Sequence, residues 1–167
     1  FEFLESNLPG IRRLDTSLLE RTIERSCEIK ADVVRQDERE SGLRRILNYG
    51  HTVGHAVERL TSYRVYKHGE AISIGMAAAA LTAREMGAAD ADLVDRIVNL
   101  LVAAGLPVAL PVGVSPADIV NAMGFDKKVT GGKLHAVLVN SIGHAFVTAD
   151  IPAEVWLRAL DAQSGLR

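Results

Sequence analysis

The stretch Leu47-Asn48-Tyr-Gly-His51-Thr-Val-Gly-His55-Ala-Val-Glu58 determines how the rest of the sequence is interpreted. On a single helix, Arg44, Asn48, His51 and His55 fall on one stripe about 60° wide, opposite an apolar face. Solvated helix faces favour Lys, Glu, Gln and Arg, because Asn and His are poorer helix formers. The sequence therefore predicts that this polar stripe is functional and not merely solvated.

The histidine spacing indicates metal binding. His51 and His55 are four residues apart, as in the zinc protease motif H-E-x-x-H, and His68 adds a third imidazole before a predicted helix. Thr52 stands where that motif requires its glutamate general base, so a metalloprotease is disfavoured. Spacing alone leaves open whether both His51 and His55 bind the metal or only one of them.

Periodicity predicts a mainly α fold, a helical bundle-like domain that spans residues 1–167 as a single unit, with one small β-hairpin near the C-terminus. A break in the chain is expected at Pro9-Gly10. Gly75 and its alanine neighbours have small side chains, which predicts that a neighbouring helix packs closely against the helix at 70–86. The predicted helices lie at about 15–35, 43–60, 70–86 and 90–104, from Ser115, and at about 152–162; the predicted hairpin strands are 134–139 and 145–148.

Composition excludes several classes of function. Lys and Arg total 19 against 21 Asp and Glu, a net charge of -2, so we expect no nucleic-acid or anionic-membrane partner. The longest apolar run, 71–83, is well short of the ~20 residues that cross a bilayer. The single cysteine, Cys27, cannot form an internal disulfide, and a cytoplasmic location is expected.

Taken together, the motifs closely resemble those of 3-dehydroquinate synthases, and their order and spacing match across nearly the whole chain. The resemblance implies the C-terminal half of a two-domain enzyme of α/β plus α type. Because the chain opens Phe-Glu-Phe-Leu-Glu without Met, we expect an upstream portion that holds the NAD-binding domain. The motifs are Lys30-Ala-Asp-Val-Val, Asp37-Glu-Arg-Glu40, Leu43-Arg44, the 47–58 stretch, His68-Gly-Glu-Ala-Ile-Ser-Ile-Gly-Met76 and Asp126-Lys-Lys128.

The resemblance implies a reaction and its cofactors. The family converts a small sugar phosphate, 3-deoxy-D-arabino-heptulosonate 7-phosphate, into 3-dehydroquinate and phosphate in the shikimate pathway, with NAD and a divalent metal, Zn²⁺ or Co²⁺. Transient oxidation of a ring hydroxyl by NAD acidifies the neighbouring proton and permits phosphate elimination.

The resemblance also assigns roles to residues. His51 and His68 are the expected metal ligands, with a third ligand, a glutamate, expected upstream of this sequence. His55 and Glu40 are the expected catalytic residues. The expected ligands of the substrate's carboxylate, hydroxyl and phosphate groups are Lys30, Arg44, Asn48, Lys127 and Lys128.

Two expectations follow, and three alternatives stay open. The chain alone should bind metal weakly and show no turnover, and the full-length protein should form a homodimer. The alternatives are a valiolone or aminocyclitol cyclase, a metal-dependent alcohol or glycerol dehydrogenase, and a non-catalytic helical fragment. The motifs at 30–40 and 126–128 favour the cyclases over the dehydrogenases.

Overall fold

The computed structural model describes residues 1–39, 42–124, 134–149 and 151–166. Residue contacts divide the chain into two units, Phe1–Leu47 and Asn48–Arg167, which are taken separately below. The fold class predicted from periodicity is confirmed: the described residues are mainly helical, with one two-stranded sheet near the C-terminus.

The first unit contains helices α1 (Glu2–Arg12) and α2 (Thr16–Gln36). The N-cap of α2 is as predicted, since the Asp15 carboxylate accepts the Leu18 N–H at 3.1 Å. The expected break at Pro9-Gly10 is wrong. Helix α1 continues through both residues, and the Pro9 carbonyl accepts the Arg13 N–H. The chain instead turns at Leu14, whose φ is 63°.

The predicted helix from Leu43 to Leu60 is also wrong, because it is two elements. A 3₁₀ helix, Leu43–Asn48, is followed by α3, His51–Leu60, and Gly50 between them has a left-handed φ of 83°. A 3₁₀ helix has about 3.0 residues per turn, so residues before and after Gly50 do not share one helical projection. Of the four residues predicted to share one helical face, only His51 and His55 lie on the same helix, α3.

The described residues of the second unit form four further helices, whose starts and stops agree with the sequence signals. The Asp90 carboxylate caps α5 by accepting the Leu93 N–H at 2.8 Å, and Gly87 follows α4 with φ 72°. The helices are α4 (His68–Glu85), α5 (Ala91–Ala103), α6 (Pro116–Gly124) and α7 (Ala153–Ser164).

The predicted β-hairpin is present. Strands β1 (His135–Ser141) and β2 (His144–Ala149) pair antiparallel, with Leu138 opposite Phe146. Gly143 in the connecting turn has φ 86°, a conformation that glycine adopts without steric cost. Residues 136–139 of β1 are buried, so the hairpin covers the helical core with one strand.

Helix α4 is the centre of the second unit. Its alanines are buried on all sides because it packs against α3, α5, α7 and β1. A Cβ added at Gly75 would lie 1.9 Å from the Gly50 carbonyl oxygen and 2.7 Å from the Gly54 nitrogen. The backbones of α3 and α4 are therefore in contact, which confirms the close packing predicted from the small residues of α4.

Among the described residues, no helix combines the length and the apolar character that crossing a membrane requires.

Candidate metal centre

Three imidazoles from α3 and α4 lie together in the second unit. The ring centroids of His51 and His55 are 5.2 Å apart, those of His51 and His68 are 5.5 Å apart, and those of His55 and His68 are 5.9 Å apart. His51 is half-buried, whereas His55 and His68 are exposed. The contact between the α3 and α4 backbones brings His68 to the two histidines of α3.

A buried carboxylate joins two of these imidazoles. Glu58 of α3 is 7% exposed; its Oε2 lies 2.9 Å from His55 Nδ1, and its Oε1 lies 2.9 Å from His68 Nδ1. Ligand atoms of His55, Glu58 and His68 all lie within 4.8 Å of one another. Burial opposes ionisation of Glu58, but the hydrogen bonds from the two imidazoles outweigh it and place the pKa of this carboxyl below its ordinary value.

His51 is held by the backbone. Its Nδ1 lies 3.3 Å from the Tyr49 carbonyl oxygen. Burial, the leading cause, lowers the pKa of His51 below its ordinary value, and this favours the neutral imidazole that binds metals. Tyr49 is itself anchored to α4, because its hydroxyl donates to the Met76 carbonyl at 3.0 Å.

The donor set fits Zn²⁺ or Co²⁺. Imidazole nitrogen and carboxylate oxygen both bind these ions, and catalytic zinc sites use three protein ligands with one position left open. Histidines that bind metal through one ring nitrogen usually donate the other N–H to a carboxylate or a backbone carbonyl. All three imidazoles have such a group beside Nδ1, which leaves Nε2 for a metal.

An open recess of about 750 Å³ adjoins this cluster and is lined by residues of the turn between α3 and α4 as well as by Glu58 and His68. Arg64 and Lys67 place two positive charges on its wall. Ser62 and Tyr63 in the same turn have φ of 55° and 56°, a left-handed conformation that is uncommon outside glycine. Neither the recess nor its cations could be predicted from helical periodicity.

The other predicted site residues are distributed as follows. Lys30 is exposed on α2 and Asn48 is exposed at the end of the 3₁₀ helix. Arg44, in the first unit, donates from Nη1 to the Glu38 carbonyl at 3.0 Å, and its backbone N–H donates to Asp37 Oδ2 at 2.9 Å. Glu40, Lys127 and Lys128 lie outside the described residues.

Glu58 is the residue whose importance the sequence interpretation missed. Its position three residues after His55 was the available signal, because residues three apart on a helix are neighbours. A carboxylate among otherwise buried positions of α3, next to Val57, was a second signal.

Sequence comparison supports the resemblance drawn from the motifs. The 3-dehydroquinate synthase C-terminal family matches residues 1–129. The chain is 48% identical over 164 residues to the 3-dehydroquinate synthase of Synechococcus, covering 97% of this chain and 45% of that protein. It is 49% identical to the synthase of Desulforamulus reducens, covering 90% of this chain and 42% of that protein. The chain thus spans less than half the length of these relatives.

Structural comparison gives the same fold. A 2-epi-5-epi-valiolone synthase from Streptomyces hygroscopicus, solved with NAD⁺ and Zn²⁺ bound, superposes with a TM-score of 0.83 at 23% identity, over 98% of this chain and 46% of that one. A 2-deoxy-scyllo-inosose synthase complexed with carbaglucose-6-phosphate, NAD⁺ and Co²⁺ gives 0.74 at 26% identity, over 88% and 41%.

The family match over more than half of the sequence and the identities near one half agree with the motifs and the helical fold. The chain belongs to the 3-dehydroquinate synthase C-terminal family.

Proposed function

We propose that this chain is the C-terminal, metal-binding part of a 3-dehydroquinate synthase, a lyase that eliminates phosphate from 3-deoxy-D-arabino-heptulosonate 7-phosphate. The observation that supports this most strongly is the cluster of His51, His55 and His68, which occupy the positions of the family's motifs within ring contact of one another. The relatives at 46–49% identity carry that name.

His51 and His68 are the proposed metal ligands, and a carboxylate from outside this sequence is the proposed third. Bound Zn²⁺ or Co²⁺ would polarise the substrate hydroxyl and lower its pKa, and NAD, held mainly by a separate nucleotide-binding domain, would accept and return a hydride. The chain's own contribution is to hold the two imidazoles with Nε2 available and Nδ1 bonded. The contact of Gly75 with Gly50 keeps α3 and α4 at the required separation.

His55 is the proposed proton-transfer residue, together with Glu40. Because His55 Nδ1 is bonded to Glu58, the atom that would take up or release a proton is Nε2. Its imidazole is exposed, so a substrate can reach it without rearrangement of the core.

The remaining proposed contacts bind the substrate's anions and hydroxyls. Arg44 has a forked guanidinium suited to a carboxylate, and Asn48 is suited to hydroxyl groups. Lys30, Lys127 and Lys128 carry ammonium charges that suit the carboxylate or the phosphate. We further propose that the chain is a single domain and that the full-length enzyme is a cytoplasmic homodimer.

The second candidate function is that of a different sugar-phosphate cyclase. The two solved structures with similar folds are a valiolone synthase and an inosose synthase. Sequence identity favours the first candidate. The chain is 23% and 26% identical to those two cyclases but 48% identical to the Synechococcus dehydroquinate synthase.

The test uses the full-length enzyme that contains this sequence, assayed with NAD and Zn²⁺ for phosphate release and for dehydroquinate. We expect turnover with 3-deoxy-D-arabino-heptulosonate 7-phosphate, none with glucose 6-phosphate, the sugar that corresponds to the carbaglucose-6-phosphate bound by the inosose synthase, and none from this polypeptide alone. Turnover with glucose 6-phosphate instead would favour the second candidate. Dehydroquinate formation by the chain alone would contradict the proposal that it is incomplete.

A further inference from the structure

Glu58 is a buried charged residue whose two oxygens are each engaged by a different imidazole. It is 7% exposed, lies between Val57 and the end of α3, and contacts His55 within its own helix and His68 on the next. A buried carboxylate without partners is strongly disfavoured, because it has lost its hydration and gained nothing in return. Its retention here is therefore accounted for by these two hydrogen bonds.

The hydrogen bonds fix where the imidazole protons lie. An ionised carboxylate only accepts hydrogen bonds, so each ring nitrogen that approaches it must donate. His55 Nδ1 and His68 Nδ1 are both 2.9 Å from Glu58. In a neutral imidazole one nitrogen is the donor and the other has the lone pair. Both rings therefore have their lone pair on Nε2.

We infer that Glu58 is a positioning residue, which holds His55 and His68 as Nδ1–H tautomers so that both present Nε2 to the metal and the substrate. The inference rests on the proposed function for the identity of the ligands, but the tautomers are a property of the chain itself. One carboxylate thereby orients both a proposed ligand and the proposed proton-transfer residue.

Direct ligation of the metal by Glu58 is the competing role, since its oxygens lie within reach of both imidazoles. The hydrogen-bond geometry favours positioning. Each oxygen of Glu58 faces the Nδ1 of one imidazole. A metal bound by Glu58 between the two imidazoles would displace both of these hydrogen bonds. A metal at the two Nε2 atoms leaves both of those bonds intact, the arrangement in which outer carboxylates orient histidine ligands.

The first test is a measurement of histidine tautomers in the metal-free chain by long-range ¹H–¹⁵N nuclear magnetic resonance. We expect His55 and His68 to be Nδ1–H tautomers, and Nε2 to be the coordinating atom of His68 once Zn²⁺ is added. Predominant Nε2–H tautomers in the metal-free chain, or coordination through Nδ1, would overturn the inference. This measurement needs no variant and does not depend on catalytic activity.

The second test compares Glu58→Gln with Glu85→Gln. Glutamine preserves the shape of Glu58 but offers one acceptor oxygen, so one imidazole should lose its Nδ1–H preference and zinc affinity should fall about 10- to 100-fold. Glu85 also lies on a helix and accepts from Arg158 at 2.9 Å, and its variant should retain wild-type zinc affinity. Wild-type affinity and tautomers in a folded Glu58→Gln variant would overturn the inference. If the full-length enzyme bound no zinc while the chain showed the expected tautomers, the proposed function would fail, but the assignment of the Nδ1–H tautomers to Glu58 would stand.

Discussion

At the residue scale, histidine identity and spacing carried most of the information about the site. His51 and His55 were predicted to share a helical face, and they do, because four residues make slightly more than one turn. The proximity of His68 could not be obtained from spacing, since it depends on how the turn between the two helices returns the chain. Glu58 was missed because periodicity describes faces and not the partner of a particular side chain.

Asp37 provides a prediction for the first unit. Its Oδ2 accepts the backbone N–H groups of Gly42 and Arg44 at 2.8 and 2.9 Å, and the residue is 9% exposed. Asp37→Ala would leave both N–H groups without this acceptor, so we expect the free energy of unfolding to fall by about 1–3 kcal/mol. Urea unfolding followed by circular dichroism measures this change.

The matched control for Asp37 is Asp32→Ala. Asp32 forms an exposed ion pair with Arg35 at 2.7 Å, and exposed pairs contribute less than about 1 kcal/mol. Equal losses in the two variants would show that the Asp37 hydrogen bonds do not hold the segment that contains Arg44.

At the scale of elements, the helix caps could be predicted from the sequence, whereas the division of the predicted helix at 43–60 could not. Asp90 caps α5, and Ser115 caps α6, whose first residue is Pro116, as their residue types indicate. Gly50 divides the predicted helix at 43–60 because its left-handed backbone lets α4 approach closely at Gly75. That requirement belongs to the packing of two helices and leaves no periodic signal in either one.

Gly75→Ala tests whether this close approach holds the site together. The added methyl group would overlap the Gly50 carbonyl, so α3 and α4 must separate, which we expect to lower the free energy of unfolding by about 1–3 kcal/mol or more. Zinc affinity should fall as well, because His51 lies on α3 and His68 on α4. Urea unfolding and zinc calorimetry measure the two effects.

Gly124→Ala is the control for Gly75→Ala, since an added Cβ at that helical glycine meets none of the described residues within 4 Å. It should change stability by less than about 1 kcal/mol and leave zinc affinity unchanged. Identical behaviour of the two variants would contradict the assigned role of Gly75.

The first turn of α6 supplies a pH prediction. The Ser115 hydroxyl and backbone N–H both donate to Asp118 Oδ2, at 2.6 and 2.9 Å, and these bonds lower the pKa of Asp118 below its ordinary value. The ionised form therefore stabilises the folded chain above the unfolded pKa, and this contribution is lost as pH falls through the folded pKa.

Asp118→Asn should remove that contribution, so unfolding free energies measured from neutral to acidic pH should decline less steeply than in wild type. Ser115→Ala removes the donating hydroxyl and should flatten the same part of the curve, and the double variant should add little to either single change. Additive effects would show that the two residues do not act as one pair.

At the scale of the whole molecule, the mainly α fold and the C-terminal hairpin followed from periodicity. The strands were identified because runs such as Leu134 to Val139 are rich in β-branched and apolar residues. The order of helices around α4 did not follow, because periodicity identifies a buried face without identifying what covers it. The buried Gln163 illustrates the limit: it joins segments more than 50 residues away in sequence.

Gln163→Leu tests that connection. The side-chain amide donates to the Ile74 and Val108 carbonyls at 2.8 and 2.7 Å, and its loss leaves buried acceptors without that donor. We expect the free energy of unfolding to fall by about 1–3 kcal/mol. The control Gln36→Leu removes an exposed amide that donates to the Asp32 carbonyl, and it should have an effect within about 0.5 kcal/mol. If the Gln163→Leu and Gln36→Leu variants had the same unfolding midpoint, the stabilising role of the two Gln163 hydrogen bonds would be contradicted.

The central claim is that the chain carries two histidine ligands of a dehydroquinate synthase metal site, on two different helices. Calorimetric zinc titration of the chain and of its His51→Ala, His55→Ala and His68→Ala variants tests this most directly. We expect weak binding by wild type, no binding by the His51 and His68 variants, and retained binding by the His55 variant. Loss of binding in His55→Ala with retention in His68→Ala would instead place the metal on a histidine pair within α3 and contradict the claim.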